Sequence, residues 1–75
     1  MQVPLAVQRK RYVANSGPSL FGVARMQKVV SPAGEVFVFL GAREGQVFLE
    51  RVDKQKQAPF LELETSEFRD FAPVK

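Results

Sequence analysis

A chain of 75 residues with 45% hydrophobic and 25% charged side chains and a net charge of +3 has the make-up of one small globular domain, not of a disordered segment. It has no cysteine and no histidine, which excludes disulfide staples, thiolate metal sites and nucleophile–base pairs built on either residue. No apolar run reaches the roughly 18 residues of a membrane-spanning helix, and the start lacks the basic–apolar–small order of a secretory leader, so no membrane partner and a cytoplasmic location are expected.

Residues 1–11 read as a basic N-terminal arm or edge strand. Val3, Leu5 and Val7 alternate, Pro4 restricts such a strand to a sheet edge, and Arg9-Lys10-Arg11 ends the segment. The rest, 12–75, is expected to form a small β-barrel domain. Tyr12, Val13 and Ala14 read as extended, and 15–19 (Asn-Ser-Gly-Pro-Ser) as a loop. Residues 20–30 form a strand in which Gly22 marks a bulge or a close approach, and 31–34 (Ser-Pro-Ala-Gly) a turn. The strand 35–42 is β-branched and aromatic through Val36, Phe37, Val38 and Phe39. A tight turn on Gly45 leads to a return strand over 46–52 and a solvated loop over 53–57. In the strand 59–64, Leu61 and Leu63 face one way and Glu62 and Glu64 the other. Thr65 or Ser66 then caps one helical turn carrying Glu67, Phe68 and Phe71. Pro73 stops it, and Val74 adds a last short strand.

The fold class that follows is mostly β: a small barrel or strongly bent antiparallel sheet of about five strands, with one short C-terminal helical turn. The layout over 34–74, a tight hairpin, a strand, a one-turn helix and a closing strand, resembles SH3-like barrels. That resemblance implies fold alone, because such barrels serve many functions. The chain lacks the clustered Tyr, Trp and Pro set of a proline-peptide-binding SH3 domain.

Catalytic chemistry finds little support. Ser16, Ser19, Ser31 and Ser66 fall in turn or cap contexts, where loop hydrogen bonding accounts for them. Glu62 and Glu64 share a strand face, near the roughly 5–5.5 Å of a retaining glycosidase pair, but a solvated face explains them better. Glu62, Glu64, Glu67 and Asp70 lack calcium-loop spacing, and 41–45 lacks the lysine and hydroxyl of a phosphate loop. The expectation is a non-enzyme with no cofactor, no metal and no small-molecule substrate.

Charge and apolar pattern say more. Arg9, Lys10, Arg11, Arg25 and Lys28 all precede the first acidic residue, Glu35. Such an arm can neutralise phosphates, with Tyr12 stacking on a base, so Arg9, Lys10, Arg11, Tyr12, Arg25 and Lys28 form a candidate nucleic-acid surface, with Arg43 and Arg51 extending it. The bland counterpart is a solvated segment before the barrel, or one that docks on the acidic Glu62, Glu64, Glu67 and Asp70 surface of the same molecule or of a neighbour. The hairpin over 36–52 is apolar on both faces, with Val36, Val38 and Leu40 against Phe37 and Phe39, and Val47 and Leu49 against Phe48 and Val52. One face fills the interior; the other needs a cover from the N-terminal segment, from Phe68 and Phe71, or from a second copy. The expected protein-contact face is Phe37, Phe39, Phe48 and Val52. The leading expectation is a non-catalytic interaction module that binds a protein partner or itself as a homodimer, such as an adaptor, an inhibitor or a phage- or plasmid-type regulatory accessory protein. The alternative is a nucleic-acid-binding module using the basic arm.

Overall fold

A computed structural model describes residues 3–53 and 58–74. It is mostly β, with a five-stranded antiparallel sheet. The elements are α1 (Leu5–Ala14), β1 (Ser19–Leu20), β2 (Val23–Ala24), β3 (Lys28–Val30), β4 (Val36–Arg43), β5 (Gln46–Arg51), β6 (Phe60–Glu64), α2 (Thr65–Phe68) and β7 (Ala72–Pro73). The main sheet runs β6-β5-β4-β3-β7, and β1 and β2 form a separate two-stranded hairpin. The edges β6 and β7 are linked through α2 rather than paired, so the sheet bends without closing into a barrel. The expected loop over 53–57 lies, from Lys54 on, outside the described residues.

The N-terminal segment departs from expectation: 5–14 is helical, not an edge strand, and Tyr12, Val13 and Ala14 belong to its last turn. Pro4 sits at the N-cap, and its carbonyl accepts hydrogen bonds from Val7 N (3.0 Å) and Gln8 N (3.1 Å). Good helix formers follow, and Arg11 in the last turn complements the helix dipole. Three alternating apolar residues were too short a run to define a period of two.

The strand expected over 20–30 is cut into three by residues with positive φ. Phe21 (+53°) and Gly22 (+77°) make the tight turn between β1 and β2, and Met26 (+71°) breaks the chain before β3. The β4–β5 hairpin is as anticipated, with Glu44 (+49°) and Gly45 (+84°) matching the mirror-image turn that suits strand twist. Thr65 and Ser66 do not cap α2; they lie inside it.

The core lies on one face of the sheet. Val29, Phe39, Val47 and Leu49 are fully buried, and Phe37, Val23 and Phe68 nearly so. Phe39 and Phe71 flank Phe68 at 5.5 Å each, and Phe37 lies 5.8 Å from Phe71. The one-turn helix therefore plugs the bent sheet.

A bulge in β4 shapes everything else. Phe39 pairs with Leu49 but Gly41 pairs with Phe48, so Leu40 is the extra residue. Beyond it the side-chain parity reverses, and Ala42 takes the core face that Phe37 and Phe39 held before it. There the end of the α1–β1 connection crosses β4: Gly17 and Ala42 exchange two backbone hydrogen bonds, at 2.7 and 3.1 Å. A β-carbon on Gly41 would collide with Ser16 Oγ and stand 2.6 Å from Ser16 Cβ. Gly41→Val should lower stability by about 1–3 kcal/mol through this overpacking, read as a shifted denaturant midpoint.

Candidate functional site

The second face of the hairpin is covered by α1. Tyr12 reaches across and lies 5.2 Å from the Phe48 ring and 5.0 Å from Phe60. Arg9 forms a forked pair with Glu50, Nε to Oε1 at 2.6 Å and Nη2 to Oε2 at 2.8 Å. The Glu50 side chain is only 5% exposed. That contact, and the charge behind it, hold the Arg9 guanidinium above its usual pKa. Such a fork offsets the cost of desolvating a carboxylate under the helix.

Three aromatic rings thus pack on the helix face, while Phe21, Phe37, Phe39, Phe68 and Phe71 meet on the core face. The expected contact face does not exist as a unit. Phe37 and Phe39 are core residues; Phe48 points to the opposite side because it pairs beyond the bulge, and it is covered by Tyr12. Val52, about half exposed, stands apart from them past the end of β5.

The basic residues divide by role. Arg9 holds Glu50, and Arg25 donates to three carbonyls: Leu40 O at 2.9 Å, Ser16 O at 2.7 Å and Val13 O at 3.2 Å. Arg51 pairs with Glu35, donates to Ala58 O and lies over the Phe37 ring. Lys10, Arg11 and Lys28 are exposed, on α1 and on β3. Arg43 is exposed at the hairpin turn beside Glu44.

What the structure assembles instead is an open trough of about 1050 Å³ between the start of α1 and the outer face of β5 and β6. Val3, Leu5 and Tyr12 line it from the helix side and Phe48, Pro59 and Glu62 from the sheet side, with Gln8, Arg11 and Asn15 as polar lining. A second recess of about 570 Å³, sharing Asn15 and Phe48, continues it toward Gly45, Glu64 and Ser66. Residues 5–14 carry no apolar helical period, so nothing local in the sequence brings Val3 and Leu5 together with Pro59, whereas Tyr12 stands out as an aromatic beside the basic run and Glu62 as half of a carboxylate pair.

Among the described residues no group of three or more acidic residues is arranged to hold a metal ion, and no helix is long and apolar enough to cross a membrane. Comparisons with protein-family models, curated proteins and solved structures find no match.

Two measurements check this geometry. Burial first, and then the negative charge of Glu62, raise the pKa of Tyr12, the one tyrosine in the chain, above the ordinary 10.0. The folded value exceeds the unfolded one, so this contribution is complete below about pH 10 and is lost as pH rises through the folded pKa. Phenolate absorbance should therefore titrate late, and Glu62→Gln should bring the midpoint back toward normal. Arg9→Ala should cost on the order of 1–3 kcal/mol in a denaturant titration, and much less in a Glu50→Ala background, because the two residues act as a pair.

Proposed function

We propose that this chain is a small non-catalytic interaction module, and that the trough between α1 and β5–β6 receives a segment of a protein partner. One observation carries the proposal. α1 contributes no buried side chain, yet Val3 (37% exposed) and Leu5 (36%) present apolar surface along an open trough that the rings of Tyr12 and Phe48 also line. Apolar walls around a few polar groups are what recognition sites for extended or helical segments share. Adaptor, inhibitor and regulatory accessory roles all fit such a module. The element order supports an SH3-like reading of the fold, an opened barrel in which α2 and β7 follow the meander β3 to β6.

The nucleic-acid alternative has less to draw on. Arg9 and Arg25 are engaged inside the fold, and Glu62 lines the same trough as Tyr12 and Arg11. That leaves Lys10, Arg11, Lys28 and, at the hairpin turn, Arg43 as its cations. Self-association through Phe37 and Phe39 would require opening the core.

Panning a random peptide library against the chain tests the proposal. Peptides should be enriched whose binding is lost in Leu5→Glu, a surface substitution that leaves thermal stability unchanged. Binding untouched by Leu5→Glu would put the site elsewhere. If labelled oligonucleotides bind instead, with steep salt dependence that is lost in Lys10→Ala/Arg11→Ala, the nucleic-acid reading replaces this one.

A further inference from the structure

The trough reaches β6, an edge strand of the main sheet, through Pro59 and Glu62. The main sheet has two edges, β6 and β7. β7 spans two residues, one of them Pro73, which has no backbone N–H to offer a further strand. β6 spans five residues, contains no proline, and among the described residues pairs along one side only, with β5.

Burial falls sharply at this edge. On β5 the core-face residues Val47 and Leu49 are fully buried, whereas their partners on β6, Leu63 and Leu61, keep part of their surface exposed although they pack on the same core. On the other face of β6, Glu62 and Glu64 are exposed, and Glu62 lines the trough. An added strand would therefore meet apolar side chains on one face and carboxylates on the other.

Deepening the proposal above, and resting on it, we infer that the partner segment binds in an extended form as a sixth strand on β6, and that it carries Lys or Arg alternating with aliphatic residues. The aliphatic positions cover Leu61 and Leu63. The basic positions stand opposite Glu62 and Glu64, at the mouth of the trough. Main-chain hydrogen bonds supply affinity in this mode, and alternate side chains supply the choice of partner. A second copy of the chain fits poorly. Antiparallel pairing of β6 with its own copy over its full length sets Glu62 directly against Glu62 of the other chain, and like charges in that position destabilise the pair.

The test uses a capped peptide, Thr-Lys-Val-Lys-Leu-Lys-Thr, its counterpart with Glu in place of Lys, and two versions of the Lys peptide N-methylated on alternate backbone nitrogens, one along each edge. Affinity is read by fluorescence anisotropy and location by amide chemical shifts. The Lys peptide should bind the full chain about tenfold more tightly than the Glu peptide, and the E62K/E64K variant should reverse that order, since each cross-strand charge pair has a modest effect. Shifts should centre on 60–64, and one methylated version alone should lose about tenfold in affinity, because only one edge faces β6. Equal binding of the Lys and Glu peptides, or an equal effect of the two methylations, overturns the inference. If library peptides still depend on Leu5 while either of those results is obtained, the trough stands as the binding site and only strand addition is excluded. If library peptides ignore Leu5, it is the trough itself that fails.

Discussion

The guanidinium of Arg25 ties together the parts of this molecule that the chain alone would leave loose. It donates to the carbonyl of Leu40, the extra residue of the β4 bulge, and to the carbonyls of Val13 and Ser16 at the end of α1. A bulge leaves backbone groups unpaired, and a helix C-terminus leaves carbonyls without partners; one planar cation satisfies both. The placement of α1 over the sheet follows from that knot and from the close crossing of Ser16 and Gly17 over Gly41 and Ala42.

With the knot in place, a domain of only 75 residues solves two packing problems at once. The bulge reverses side-chain parity along β4, which sends Phe37 and Phe39 to the core while Phe48 faces the helix. The core face is sealed by Phe68 and Phe71, and the helix face by Tyr12 and the Arg9–Glu50 fork. A small domain buries a modest share of its surface, so two sealed faces on one sheet make good use of it.

The same arrangement leaves surface unsealed. α1 is anchored through its second half, by Arg9, Tyr12 and the Arg25 contacts, while its first turn stands beside the sheet with Val3, Leu5 and Val7 exposed. β6 and β7 do not pair, so the bend that builds the core also leaves β6 as a long edge. Trough and edge adjoin because both result from a sheet that curls around a one-turn plug without closing.

The amino-acid sequence by itself determined what depends on neighbours in the chain. The hairpin turn at Gly45, the strand expected over 35–42 and found over 36–43, the alternation of Leu61 and Leu63 with Glu62 and Glu64, and a single helical turn after them are local patterns with a period or a turn residue to mark them, whereas the last strand forms at Ala72–Pro73 and not at Val74. The tertiary structure decided the rest. Gly41 inside the strand pattern is the residue type that goes with a bulge or a close backbone approach, but it does not say which neighbour is the extra residue, so which face Phe48 would take was not legible. Arg9 and Arg25 read as phosphate contacts because cationic side chains look alike until their long-range partners, Glu50 and the carbonyls of Leu40, Val13 and Ser16, are in place. The helix over 5–14 has no fully buried side chain, and the half-buried face it turns to the sheet, Gln8, Arg9, Tyr12 and Val13, is largely polar, so no apolar period of 3.6 marks its sequence. Its position rests on contacts made across the fold, which no local pattern encodes.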